Sequence, residues 1–154
     1  MADIQAKRAY ETVIAMLDHA SLKYDRDDEK LRIDLGFKGD DPKIALAFLI
    51  DEKLELVKLF SPLPFHFPED KRIDGAVAVC VANYGLINGS FDYDAFDGEI
   101  RFRLVNAYLG DLFSEEIAHY MLTTAYTTVD QYNDRFYALA KGFITVSEFI
   151  EKED

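Results

Sequence analysis

Residues 91–104 read FDYDAFDGEIRFRL, and they decide the fold of this chain because they specify a β-hairpin. Asp97-Gly98 is a strong hairpin signal, since a type I′ turn needs positive φ at both central residues. With the turn at these two residues, Phe96 is predicted to face Glu99. The predicted register continues with the pairs Ala95–Ile100, Asp94–Arg101, Tyr93–Phe102, Asp92–Arg103 and Phe91–Leu104.

This register sorts the hairpin side chains into two faces. Apolar residues meet on one face, and two aspartates meet two arginines on the other. Because side chains alternate between faces, a slip of one residue would break both sets of pairs. Asp92 and Asp94 are therefore interpreted as ion-pair partners of the arginines. The alternative, a calcium site, is disfavoured because the loop lacks the glutamate that closes an EF-hand.

Length and composition predict a single domain over residues 1–154, and the order of helices and strands described below predicts that it is α+β. A chain of 154 residues can bury a core without disulfides or metals, and its 49% of hydrophobic residues excludes disorder. The core is expected to rely on its 12 Phe and 9 Tyr. The one cysteine, Cys80, stands between Val79 and Val81 and is predicted to be a buried, unreactive thiol.

The net charge of −12 excludes some classes of partner. Phosphate backbones and anionic lipid surfaces would repel such a chain, so neither nucleic acid nor membrane binding is expected. The longest apolar run, residues 76–82, is far shorter than the ~20 residues that a membrane span needs. No secretory signal is recognisable at the N-terminus, and a cytoplasmic location is therefore expected.

Periodicity and turn residues predict the element order α-β-β-β-β-α-β-β-α. Asp3 is expected to cap a first helix. Four strands with short connections then form an antiparallel meander that ends at Phe60, because three prolines in residues 62–68 oppose regular pairing. The hairpin follows a second helix, and a long helix over residues 115–141 completes this order. A further short helix is expected over residues 145–152.

Residues 69–84 are predicted to be a helix, although the valines at 77, 79 and 81 would also suit a buried strand. Pro68 followed by two acids is a helix-start signal. The helix would be apolar nearly all round over two turns, and one sheet cannot bury both of its sides. A second surface is therefore expected to cover it.

The sequence contains no recognisable catalytic signature. Nothing groups His19, His66 and His119, so we expect no catalytic residues, no metal site and no cofactor, and the chain is not predicted to be an enzyme. The best candidate for a binding surface is the proline-rich segment that displays Leu63, Phe65 and Phe67. The alternative is that these rings fold back as a lid over the core.

A set of positions between Asn83 and Gly142 resembles the YbjN family. These positions are Asn83, Gly89, Phe91, Asp97-Gly98, Ile100, Phe102-Arg103, Thr128, Val129, Asp130 and Tyr132. The resemblance implies a type III secretion chaperone-like fold over nearly the whole chain. The family is described as bacterial sensory-transduction regulators and offers no catalytic residues. Secretion chaperones of this fold are acidic homodimers that bind extended effector segments.

We therefore expect a non-catalytic, protein-binding module that is chaperone- or regulator-like and acts as a homodimer. The alternative is a small-ligand sensor with a pocket between the sheet and the 115–141 helix, lined by Tyr120, Tyr132 and Phe136. The residues expected to contact a partner are Leu63, Phe65, Phe67, Ile73, Val77, Val81 and Tyr84.

Overall fold

The computed structural model describes residues 2–37 and 43–152. Its elements follow the predicted order, so the expected α+β fold is confirmed. They are α1 (Ile4–His19), β1 (Asp25–Asp27), β2 (Arg32–Phe37), β3 (Ile44–Asp51), β4 (Leu56–His66), a 3₁₀ turn (Glu69–Lys71), α2 (Arg72–Gly85), β5 (Ser90–Asp94), β6 (Glu99–Ala107), α3 (Glu115–Ala140) and α4 (Val146–Lys152). The glycines and the proline of residues 36–42 predict a turn there, but Gly36 and Phe37 belong to β2, and residues 38–42 lie outside the described chain.

Polar side chains start the two longest helices. Asp3 accepts a hydrogen bond from the backbone N–H of Ala6 at 2.7 Å, which confirms the predicted cap of α1. Ser114 does the same for α3, where its hydroxyl accepts from the N–H of Ile117 at 3.2 Å. Glu115 and Glu116 add negative charge to the first turn of α3, where the helix dipole favours it.

The six strands form one antiparallel sheet in the order β1-β2-β3-β4-β6-β5. All helices pack on one face, which we call the inner face, because alternate residues of the strands are buried there with the helix residues. Residues of the opposite parity form the outer face. The inner face carries Ile33, Leu35, Leu46, Phe48, Val57, Leu59, Phe91, Ile100, Phe102 and Leu104.

Phe136 of α3 lies at the centre of an aromatic cluster that joins distant parts of the chain. Its ring centroid lies 5.0 Å from that of Phe91, 5.3 Å from that of Phe149 and 6.4 Å from that of Phe67. The hairpin, α4 and the segment after β4 therefore pack against the same fully buried ring. Edge-to-face and stacked contacts of this kind add stability beyond burial.

The hairpin forms, but its predicted register is wrong by two residues. Tyr93 pairs with Ile100 and Phe91 with Phe102, whereas the predicted partners were Phe102 and Leu104. The connection is a loop of residues 95–98 in place of a two-residue turn, and positive φ occurs at Gly98 and not at Asp97. A shift of two residues keeps every side chain on its predicted face, so the apolar and charged faces survive.

The register change reassigns the two aspartates. Asp92 receives hydrogen bonds from both arginines, at 3.1 Å from Arg101 and at 2.9 and 3.0 Å from Arg103. Asp94 faces Glu99 and accepts instead from the N–H of Phe96 at 2.9 Å, so its predicted pairing with Arg101 is wrong. Of the two aspartates, Asp92 alone therefore pairs with the arginines.

The prolines end the pairing of the meander as predicted, but they do not end the strand. β4 continues to His66 and contains Pro62 and Pro64. Its pairing with β3 stops at Phe60, and beyond that point it pairs with β6 through a register shift between Pro62 and His66. Proline lacks a backbone N–H, so it is tolerated where the ladder is open on one side or irregular.

Asn83 of α2 binds the free edge of the sheet. Its side-chain oxygen accepts from the N–H of Phe91 at 2.8 Å, and its side-chain nitrogen donates to the carbonyl of Phe91 at 3.0 Å. β5 is an edge strand of the sheet, so without the Asn83 amide the N–H and the carbonyl of Phe91 would have no hydrogen-bond partner on a neighbouring strand. Asn83 therefore takes the place of a neighbouring strand at this residue and ties α2 to the sheet.

We predict that Gly98→Ala destabilises the fold more than Gly110→Ala does. Both glycines have positive φ, which costs an L-residue about 1–2 kcal/mol. An added Cβ at Gly98 would also lie 2.1 Å from the carbonyl oxygen of Phe67, whereas no described atom lies within 4 Å of one at Gly110. In urea unfolding, the free energy of unfolding should fall roughly twice as much, or more, in Gly98→Ala as in Gly110→Ala. Equal losses would mean that the loop does not need its close approach to Phe67.

We also predict that Asn83→Ala lowers the free energy of unfolding by about 1–3 kcal/mol, because it leaves both Phe91 backbone groups unpaired. Asn88→Ala is the control, since it removes one surface hydrogen bond of 3.2 Å and should cost under about 0.5 kcal/mol. Hydrogen exchange should show faster loss of protection at the Phe91 amide in Asn83→Ala. Unchanged exchange there would argue against the edge contact.

Candidate functional site on helix α2

The side of α2 that faces the sheet is built from small residues. Gly75, Ala78, Val79 and Ala82 are its buried positions. A Cβ at Gly75 would lie 2.5 Å from the hydroxyl oxygen of Tyr93, and the Tyr93 hydroxyl donates to the carbonyl of Arg72 at 2.8 Å. Burial raises the pKa of Tyr93. Small side chains thus allow α2 to lie close to the sheet.

The opposite side of α2 exposes larger apolar residues. Ile73 is 78% exposed, Val77 38% and Tyr84 94%, and Cys80 lies exposed between them. We call these four residues the α2 stripe. They are spaced four, three and four residues apart, which places them in one line along the helix. This is the a/d spacing with which two helices pack together.

Most of the α2 stripe lies in an uncharged stretch of the sequence. No Asp, Glu, Lys or Arg occurs between Asp74 and Asp92 in a chain whose net charge is −12. The side chain of Ile87, just beyond the helix end, is also exposed. Contiguous exposed apolar surface of this kind marks interaction sites more often than ordinary protein surface does.

The predicted burial of Cys80 is wrong. Its neighbours in sequence are valines, but neighbours along a helix point about 100° apart. Val79 is buried and Cys80 is exposed for that reason. The 4-3-4 spacing of residues 73, 77, 80 and 84 is visible in the sequence and would have assigned Cys80 to the exposed side.

The structure divides the seven residues expected to contact a partner. Ile73, Val77 and Tyr84 lie on the α2 stripe, and Val81 is half-buried beside it. Phe65 is half-buried and its ring lies 5.3 Å from that of Tyr137. Leu63 and Phe67 are buried in the core, as in the lid alternative, and they present no surface to a partner.

The three residues expected to line a ligand pocket are not brought together. Tyr132 and Phe136 stack on each other in the core, with ring centroids 5.8 Å apart. Tyr120 is 49% exposed and lies at a surface cleft of about 330 Å³ between β6 and α3. The cleft also contains Asn88, Leu104, Val105, Asn106, Glu116, Ile117 and Met121.

The titratable groups show no catalytic arrangement in the part of the chain that the structure describes. His66 contacts the backbone oxygen of Asp97 at 3.2 Å. His19 contacts a carboxylate, that of Glu115, at 2.6 Å on an exposed surface. Within residues 2–37 and 43–152, no group of three or more His, Cys, Asp or Glu side chains is placed to hold a metal.

None of the described helices combines the length and apolar character that a membrane crossing requires.

Comparison with known proteins gives likeness in structure without likeness in sequence. No protein-family model matches the chain, and no curated protein matches it. Among solved structures, it resembles the ExsC–ExsE complex with a TM-score of 0.62 and 12% identity, over 84% of this chain and 93% of that one. It resembles the HopA1–SchA chaperone–effector complex with a TM-score of 0.57 and 12% identity, over 87% and 99%.

A third similar structure is YbjN from E. coli, to which a role as transcription regulator has been ascribed. The TM-score is 0.60 at 8% identity, over 86% of this chain and 92% of that one. At such identities the likeness concerns the fold. The chain has the YbjN-like fold that is shared with structures of type III secretion chaperone–effector complexes.

Proposed function

We propose that this chain is a non-catalytic, protein-binding module, chaperone- or regulator-like, that acts as a homodimer through the α2 stripe. The observation that carries the proposal is a line of exposed apolar side chains on an otherwise well-packed helix. The shared fold supports it, because one similar structure is a chaperone–effector complex and another is the ExsC–ExsE complex.

Charge favours a second copy as the occupant of the α2 stripe. Two bodies that each carry a charge of −12 repel one another unless they meet through an uncharged surface. The segment between Asp74 and Asp92 is such a surface. A two-fold axis across α2 would place each stripe against its own copy, and the a/d spacing lets the side chains interdigitate.

We predict that Ile73→Asp and Val77→Asp convert a dimer into a monomer. Burial of an unpaired carboxylate costs about 3 kcal/mol or more, which corresponds to a rise of about 100-fold in the dimer Kd. Sedimentation velocity of the wild-type protein should give twice the chain mass, and that of each variant should give the chain mass. Val77 is 38% exposed, so Val77→Asp also affects folding. Ile73 is 78% exposed, so Ile73→Asp is the cleaner test of the interface.

Leu54→Asp is the matched control for these variants. Leu54 is 60% exposed in the turn between β3 and β4, so its replacement adds the same charge away from α2. It should leave the dimer intact. A folded wild-type protein that sediments as a monomer at high concentration would refute the dimer, and a folded Ile73→Asp variant that remains dimeric would exclude the α2 stripe as its interface.

Cys80 provides an independent test, because it is exposed near the middle of the α2 stripe. Helices that pack together have axes about 8–10 Å apart, so antiparallel copies crossing near Cys80 bring the two thiols close. We expect a short bismaleimide to give a covalent dimer. Leu54→Asp should retain this product, and Ile73→Asp and Cys80→Ser should lack it. Absence of cross-linking in a dimeric wild-type sample would exclude this antiparallel crossing.

A further inference from the structure

The outer face of the sheet exposes several apolar side chains near its centre. No described helix packs on it, and its central strands expose or half-expose apolar side chains where an antiparallel sheet ordinarily shows polar ones to water. We call these side chains the outer-face patch; they are Ala45, Leu49, Phe60, Pro62 and Val105. Lys58, which is paired with Asp51 at 2.6 Å, lies between Leu49 of β3 and Val105 of β6, and Phe60 lies two residues along β4 from Lys58 on the same face.

The two edges of the sheet are poor sites for an added strand. Asn83 already occupies both backbone groups of Phe91 on β5. The other edge, β1, is the charged sequence Asp25-Arg26-Asp27, and charged side chains oppose edge pairing. A partner that uses the sheet therefore has its outer face available.

Arg101 stands beside the outer-face patch with part of its guanidinium unused. Its guanidinium carbon lies 4.5 Å from the ring centroid of Phe60, and its Nε donates to Asp92 at 3.1 Å. Arg103 binds both oxygens of the same Asp92, and these hydrogen bonds raise the pKa of Arg103. One carboxylate thus serves two cations, and within the described residues the two terminal nitrogens of Arg101 have no hydrogen-bond partner.

A guanidinium that lies over an aromatic ring and is held by a hydrogen bond at Nε is preorganised to bind a carboxylate through its terminal nitrogens. The side chain of Arg101 is 44% exposed, so a ligand can reach it. Asp94 and Glu99 lie on the hairpin side of Arg101, where the three line a surface cavity of about 420 Å³. Their charges would direct an acidic ligand away from the hairpin and toward Phe60.

We propose that the outer face binds a segment of a partner protein that places an Asp or Glu carboxylate on Arg101. The same segment places bulky apolar side chains on Leu49, Phe60 and Val105. This inference deepens the proposed protein-binding role and rests on it, but it does not depend on the dimer.

The probe is a synthetic peptide with one aspartate followed, at alternate positions, by phenylalanine and leucine with serine between them. In an extended strand, alternate positions share a face, so the carboxylate and the apolar side chains can contact the sheet together. A matched peptide carries asparagine in place of the aspartate. Fluorescence anisotropy should show about tenfold tighter binding of the acidic peptide, because a charge-assisted hydrogen bond is lost in the other.

Arg101→Met should reduce binding of the acidic peptide to the level of the asparagine peptide. Arg32→Met is the control, since it removes one positive charge from the same face while Arg32 is already paired with Asp34 through three hydrogen bonds of 2.9–3.2 Å. It should leave the acidic preference in place. NMR signals of Leu49 and Val105 methyl groups should shift on titration.

Four outcomes would overturn the inference. Equal affinity of the two peptides, or no binding at millimolar concentration, would exclude carboxylate recognition. If Arg101→Met and Arg32→Met lower the affinity for the acidic peptide equally, the preference arises from the positive charge of the face and not from Arg101. If Phe60→Lys yields a monomer while Ile73→Asp stays dimeric, the outer face is a contact between copies of this chain. A monomeric wild type that prefers the acidic peptide would refute the dimer alone.

Discussion

The rotation of α2 about its own axis is the constraint on which the rest of this structure depends. The helix is apolar on two sides, so hydrophobic burial by itself does not decide which side meets the sheet. Two contacts fix the side that meets the sheet. The side-chain amide of Asn83 forms hydrogen bonds with the N–H and the carbonyl of Phe91, and Gly75 lets Tyr93 approach closely. As a result the small residues lie inside and the larger Ile73 and Tyr84 lie outside. Burial of apolar area alone would favour the reverse arrangement.

The sequence allowed the order of elements and the faces of the hairpin to be predicted, because both follow from local periodicity. Asp97-Gly98 marked the turn, yet the register differed by two residues. A shift of two keeps the alternation of side chains, so pattern alone could not distinguish the two registers. The observed loop brings Gly98 against Phe67, whose N–H donates to the carbonyl of Gly98 at 2.9 Å. That contact joins distant segments and leaves no local signal.

The candidate site was predictable in part. The apolar run over residues 76–82 correctly indicated a helix with two apolar sides. Three residues of the α2 stripe, Ile73, Val77 and Tyr84, were among those expected to contact a partner. The assignment of Val81 in place of Cys80 arose because sequence neighbours were taken as a guide to burial. The contact of Arg101 with Phe60 joins β6 to β4 and could not be inferred from either strand alone. Leu63 and Phe67 are buried, and for Phe67 the burial involves the ring of Phe136, which is distant in sequence.

The closed edges of the sheet have a consequence for how copies of this molecule associate. Open strand edges would let copies join side by side without limit and grow into fibres. Here the amide of Asn83 occupies one edge at Phe91, and β1 is short and charged at the other. Exposed apolar side chains can then promote association through faces, and an association related by a two-fold axis closes on itself. The fold can thus present adhesive surfaces while its assemblies remain finite.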